Sequence, residues 1–113
     1  MIETKHTQIN PDSPLAKTDA ASAKVAKTTN RISLQKILDK IHHVDYFNPP
    51  RHPHFTICMI TMQNGFVALG ESAPADPLNY DETLGRQFAY ENAVRKLWPL
   101  EAYALLETMK PSA

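Results

Sequence analysis

Residues 55–72 alternate in the way an extended chain does. Phe55, Ile57, Met59 and Thr61 fall on one side of a strand, and Thr56, Cys58, Ile60 and Met62 on the other. Both sets are largely apolar, the pattern of a strand covered on two faces. A second strand follows over 66–72, and Gln63-Asn64-Gly65 between them predicts a tight hairpin. Asn-Gly is expected to supply the paired positive φ angles of a type I′ turn.

On either side of the hairpin the period becomes helical. Ser33 is placed as an N-cap, and Leu34, Ile37, Leu38 and Ile41 follow at helical spacing. This predicts a short amphipathic helix over 34–43, with His42 and His43 in its last turn. In 44–55, Pro49, Pro50 and Pro53 predict an ordered extended connector pinned by Tyr46 and Phe47. Residues 73–82 read as a loop. Asn79 or Asp81 then caps a helix over 81–98, and after a sharp bend Pro99 opens a second helix over 99–109 that ends at Pro111.

Projected at about 100° per residue, the apolar positions of that long helix, Leu84 to Trp98, spread almost all the way round, leaving a polar wedge of Gly85, Asn92 and Lys96. A helix of this kind is buried on several sides, more than one hairpin and one short helix can cover. The expectation is therefore a homo-oligomer with Phe88, Val94, Leu97 and Trp98 at the partner interface. Gly85, Ala89 and Ala93 form a small-residue ridge expected to sit against the sheet.

Composition adds a boundary. Residues 1–30 hold no aromatic side chain and are rich in Ala, Lys, Thr, Ser and Asp. They read as a flexible N-terminal arm, because so little apolar surface does not offset the entropy of ordering. The stretch 15–27 carries alanine-based helical propensity and is expected to order on a partner or a neighbouring subunit. The remainder, 31–113, is a single small α+β domain: short helix, β-hairpin, long helix and bent C-terminal helix.

Charge narrows the partners. Lys+Arg and Asp+Glu are both 12, giving a formal net charge of zero. This counts against duplex DNA or an anionic membrane, which select a cationic surplus. No apolar run approaches the roughly 20 residues of a membrane span, nor does 1–13 contain one of signal-peptide length. The single cysteine, Cys58, lies among Ile57, Met59 and Ile60 and reads as a buried small hydrophobe. The simplest compartment is the cytosol.

Candidate chemistry is sparse. Gly70-Glu71-Ser72 admits two readings: a bulge or strand exit, or a glycine that lets a ligand approach the backbone with Glu71 and Ser72 as polar contacts. It lacks the glycine-rich loop and lysine of a P-loop. Arg86, Arg95 and Lys96, with Tyr90 between them, suit a phosphate-bearing small molecule, or equally a charged helix rim. The ligand-binding candidates are thus Gly70, Glu71, Ser72, Arg86, Tyr90, Arg95 and Lys96. His42, His43, His52 and His54 cluster in sequence, but no carboxylate or cysteine at ligand spacing completes a metal site. Ser72 or Thr61 lacks a nucleophile elbow, and nothing fixes a distance between Glu71 and Glu91. No catalytic residue, metal or cofactor is expected.

The order Thr56-Ile57-Cys58, Asn64-Gly65-Phe66, Gly70-Glu71-Ser72, Gly85-Arg86, Ala89-Tyr90, Asn92-Ala93, Trp98, Leu100 and Tyr103 resembles the small tailed-phage family called phage gene-product 49/66. The resemblance spans about the last 60 residues of the chain and departs at Ala102, where the family tends to have glycine. It implies an accessory protein of phages or prophages without an agreed activity. The expected function is a non-catalytic binding protein in the host cytoplasm that antagonises a host anti-phage defence component. It would act by sequestering a nucleotide signal, with Tyr90 or Trp98 stacking on a base, or by blocking a host protein. The alternative is a nucleic-acid-binding protein of phage replication or transcription, steered by Lys5, Lys17, Lys24 and Lys27, with Tyr46 and Phe47 stacking on unpaired bases.

Overall fold

The computed structural model describes residues 2–3 and 9–110. The elements run β1 (Ile2–Glu3), α1 (Pro14–Val25), α2 (Leu34–Asp39), β2 (Ile41–Phe47), β3 (Thr56–Met62), β4 (Val67–Ser72), a 3-10 turn (Pro77–Asn79) and α3 (Glu82–Met109). The strands form an antiparallel sheet in the order β1-β2-β3-β4. This is the α+β class that the periodicities predict.

The hairpin of β3 and β4 is where the alternation places it. Its turn differs. Gly65 has φ 90, while no non-glycine residue has a positive φ among the described residues. Gly65 N donates to the Met62 carbonyl and Met62 N to the Phe66 carbonyl. These bonds enclose a three-residue loop closed by one left-handed glycine, not a type I′ turn. The Asn64 side chain accepts from Phe66 N at 3.0 Å and holds the loop.

α2 is shorter than the spacing of Ile41 suggests. It stops at Asp39, and the Lys40 N–H doubles back onto the Ile37 and Leu38 carbonyls. His42 and His43 therefore lie in a strand, not in a helical turn, and the first part of the expected connector is β2. β2 joins the hairpin in the register Phe47↔Ile57, Tyr46↔Cys58 and Asp45↔Met59, with an irregularity between Ile41 and His43.

α3 is one helix of 28 residues with Pro99 inside it, where a bend into two helices is expected. Pro99 and Arg95 are both exposed. The proline ring therefore points to solvent, and water can take the bond that Pro99 does not donate to the Arg95 carbonyl.

The expectation of an arm over 1–30 falls partly on residues 1 and 4–8, which lie outside those described, as does Pro111. Within the arm, α1 realises the helical propensity of 15–27, but on its own subunit. Ser13 caps it, accepting from Ala16 N at 3.1 Å, and Pro14 opens it. Leu15 joins the core. The Asp19 carboxylate accepts from Arg31 Nη2 at 2.8 Å and from Leu34 N at 3.0 Å, tying α1 to the start of α2. Composition alone understates this segment, because its anchorage is one buried leucine and a few specific hydrogen bonds rather than a broad apolar face.

Candidate interaction face of the sheet

The two faces of the sheet differ. Val44, Tyr46, Cys58, Ile60, Met62 and Ala68 point inward and join a buried cluster with Leu15, Leu34, Ile37 and the face of α3 that carries Ala89, Tyr90, Ala93, Val94 and Leu97. All three helices enter this one core. Because side chains alternate across a strand, the intervening residues point the other way: His43, Asp45 and Phe47 on β2, Ile57, Met59 and Thr61 on β3, and Val67, Leu69 and Glu71 on β4. No helix covers this outer face among the described residues. Phe47, Val67 and Leu69 are 46%, 44% and 48% exposed, and Ile57 and Met59 are half-buried. The expectation that β3 is covered on both sides is corrected: among the described residues, helices lie on one face alone.

Register turns these residues into a surface. Phe47 stands beside Ile57, Met59 beside Leu69, and Thr61 beside Val67. Cross-strand neighbours lie about 5 Å apart, so the apolar side chains form a continuous band, with His43, Asp45 and Glu71 as its polar margin. β4 is the outermost strand of the sheet at this side. The Met62–Phe66 pair bonds within the hairpin, so alternation directs the Val67, Leu69 and Glu71 amides away from β3. The Glu71 N–H is met by Asn92 Oδ1 of α3 at 3.0 Å. Asn92, in the polar wedge, thus covers one end of an edge that is otherwise a strand-pairing hazard.

The ligand-binding candidates are dispersed. Gly70 faces α3, where a Cβ would stand 2.5 Å from the Ala93 nitrogen, so its role there is close packing. Glu71 is exposed, and Ser72 lies across from Thr56. Arg86 stacks its guanidinium 5.1 Å from the centre of the Tyr46 ring and meets Glu82 at 3.9 Å. Tyr90 is buried, and desolvation, helped by the neighbouring Cys58, pushes its phenol up to about 12. Arg95 and Lys96 are exposed. Arg95 is nine positions beyond Arg86, about half a turn out of phase round the helix. The three cations therefore point in different directions. A small cavity of about 170 Å³ beside Ser72, between Tyr80, Leu84 and Phe88, takes in Ser72 alone of this set.

The interface candidates divide. Phe88 is exposed, but Val94 and Leu97 are 0% and 1% exposed within a single subunit. They are core residues, a correction to their placement at a partner interface. Trp98 packs against the same core and donates its indole N–H to the Ile32 carbonyl at 3.1 Å. The helix is covered because α1, α2 and β2 join the hairpin round it. The Gly85, Ala89 and Ala93 ridge sits against the sheet as expected: Gly85 beside Thr56, and Ala89 and Ala93 beside Gly70.

The histidines form separate pairs. His42 and His43 ring centres are 4.5 Å apart on β2, and those of His52 and His54 are 6.2 Å apart on the loop before β3. Among the described residues no group of three His, Cys, Asp or Glu converges. That loop is organised by Asn48, whose amide donates to the Phe55 carbonyl at 2.7 Å and to Thr56 Oγ1 and Tyr80 Oη at 3.2 Å. No periodicity or motif singles out Asn48, although Asn before a Pro-Pro pair is a turn signal. No described helix is long and apolar enough to cross a membrane.

Comparison with known proteins matches residues 32–109 to the family described as "Phage protein (N4 Gp49/phage Sf6 gene 66) family". The match begins just before α2 and ends with the last residue of α3, so it takes in β2, the hairpin and the outer face. Neither the curated proteins nor the solved structures give a match.

Proposed function

The chain belongs to this family of phage proteins, and from that premise we propose that it is a non-catalytic accessory protein that binds and blocks a host protein, most simply a component of anti-phage defence, in the host cytoplasm. The open apolar band of Phe47, Ile57, Met59, Val67 and Leu69 carries this reading. Exposed, contiguous apolar surface with a polar margin marks protein-binding sites. The band lies on hydrogen-bonded strands packed on the core, so docking needs little new ordering of the backbone.

Sequestration of a nucleotide signal has less support. It calls for cations and a stacking ring in one cleft, whereas Arg86 is stacked on Tyr46, Tyr90 is in the core, and Arg95 lies about half a turn away. Nucleic-acid binding finds Phe47 exposed but Tyr46 buried, and the net charge is zero.

The test compares the native chain with Leu69→Asp in host extract. A host protein retained by the native chain and lost from Leu69→Asp, at unchanged unfolding midpoint, is the expected result. Thermal shifts are then read with cyclic dinucleotides, cyclic ADP-ribose isomers and single-stranded DNA. A shift that survives Leu69→Asp overturns the proposal.

A further inference from the structure

On the open face of the sheet the register lays the side chains out as a grid. Neighbouring strands stand about 4.8 Å apart, and successive outward residues of one strand about 6.8 Å apart. Phe47, Ile57 and Glu71 share one row, and Asp45, Met59 and Leu69 the next. Val67 closes the third row, beside Thr61 and His43. The apolar band therefore runs obliquely, from Phe47 on β2 to Val67 on β4, over about 17 Å. The corners that it leaves carry acids, Glu71 on one flank and Asp45 on the other. On these spacings their Cα positions lie about 12 Å apart, on a line that crosses the band at about a right angle. Among the described residues every lysine and arginine lies on a helix or a loop and none on a strand. Neither Asp45 nor Glu71 is in an ion pair there. A chain of zero net charge thus presents an open face whose full charges are negative, with the imidazole of His43 as its other ionisable group.

Building on the reading of this face as a host-protein site, we infer that the part of the host protein it takes is an amphipathic helix of about three turns, with an apolar stripe and lysine or arginine on both shoulders. The length follows from the band: about 17 Å is spanned by about 11 helical residues. The width follows from the acids. A helix with its side chains is about 10–12 Å across, so basic residues on its two shoulders meet Asp45 and Glu71 while its stripe lies on Phe47, Ile57, Met59, Leu69 and Val67. An extended segment laid on the same band sets unpaired backbone amides against apolar side chains. Added instead at the β4 edge, it meets an edge where Asn92 already takes the Glu71 N–H, and it leaves the band uncovered. A second copy, face to face, would bring four carboxylates into one apolar interface with no lysine or arginine from either face to meet them.

Fluorescence anisotropy of the full chain with two labelled peptides tests this. Each peptide has about 15 residues and the same leucine stripe at helical spacing; one has lysine on both shoulders, the other glutamate. At low salt the lysine peptide is expected to bind the native chain at least about tenfold tighter than the glutamate peptide, and Leu69→Asp is expected to weaken it by a similar factor. The Asp45→Lys, Glu71→Lys double variant should exchange the preference, and the milder Asp45→Asn, Glu71→Gln pair should level it. Equal binding of the two peptides by the native chain overturns the inference, as does a preference that neither double variant moves. Host extract separates this from the wider reading. A host protein shed by Leu69→Asp yet retained by the Asp45→Lys, Glu71→Lys variant overturns the basic helix and leaves the face a host-protein site. If Leu69→Asp sheds no host protein, the reading itself fails and the inference falls with it. A native chain that sediments as a dimer while Leu69→Asp sediments as a monomer gives the face to a second copy and overturns both.

Discussion

Gly70 in β4 and Ala89 in α3 approach so closely that a Cβ on Gly70 would stand 2.0 Å from the Ala89 carbonyl oxygen. The obstacle is helix backbone, which cannot rotate away as a side chain can. Gly70→Ala must therefore lift α3 from β4 and disturb the cluster of Ala89, Ala93 and Val94 beneath it. Overpacking of this kind costs about 3 kcal/mol, a fall of roughly 10 °C in Tm for a chain of this size. Gly65 is the contrast. It has φ 90 but open space where a side chain would go, so Gly65→Ala loses only the conformational preference, about 1 kcal/mol. Thermal unfolding of the two variants orders them; similar losses would remove close packing as the reason for Gly70.

Alkaline pH should weaken the fold through two buried acids. Burial pushes the Cys58 thiol up to about 12, with the Asp45 charge adding to the rise and the Tyr46 hydrogen bond opposing it. Tyr90 is likewise pushed to about 12. In the unfolded chain these groups release their protons near their ordinary values of 9.0 and 10.0. Above pH 9 the unfolded state thus binds fewer protons than the folded one, and unfolding free energy falls as pH rises. The contribution is complete below pH 9 and is lost on the way to about 12. Each group adds a slope of about 1.4 kcal/mol per pH unit once its unfolded form titrates. Urea unfolding at successive pH values measures this, and Tyr90→Phe should flatten the curve chiefly above pH 10, with a much smaller effect between 9 and 10.

The loop between β2 and β3 should depend on one amide. Asn48 Nδ2 reaches the Phe55 carbonyl, the fully buried Thr56 hydroxyl and the Tyr80 hydroxyl. Asn48→Ala leaves these groups without their donor, at about 2 kcal/mol. Asn48→Asp keeps the shape but sets a carboxylate against the Phe55 and Pro53 carbonyls. Its loss should therefore be at least as large at neutral pH and should shrink as the carboxyl protonates in acid. Unfolding of both variants at pH 7 and pH 4 separates the donor from mere space-filling.

What the sequence carries clearly is what its periods encode. The alternation over 56–72, the Asn64-Gly65 break and the Gly85–Ala89–Ala93 ridge are each local, and each recurs in the fold. The Asn-Gly pair does not choose its own turn type: the strand register does, with the Asn64 side chain bonding Phe66 N. β2 is hidden because Ile41 continues the spacing of Leu34 and Ile37, so the helical period runs on past the point where Lys40 ends the helix. α1 is hidden because its anchorage is one buried leucine and the bonds that Asp19 and Ser22 accept from Arg31 and Leu34, none of which forms a pattern. The outer face is present in the alternation of Ile57 and Met59, but β3 is apolar on both sides. Which side stays open follows from the placement of three helices on one face, a property of topology that no window of sequence contains.

Pro99 offers the sharpest test of how α3 is built. A proline in a helix interior removes one backbone bond and crowds the carbonyl four residues back, about 3 kcal/mol against alanine. Here that carbonyl belongs to Arg95, on the exposed side, and the residues on the opposite side keep their places: Leu97 in the core and Glu101 paired with Lys40. If α3 is held by the sheet as far as Leu97, and beyond it mainly by its own ladder and the Lys40–Glu101 pair, Pro99→Ala should stabilise the chain by roughly 1–3 kcal/mol. It should also slow amide exchange over residues 100–109 more than over 85–97. A destabilised Pro99→Ala, or protection that rises equally along the helix, would mean instead that the proline shapes a bend on which the seating of the C-terminal turns depends.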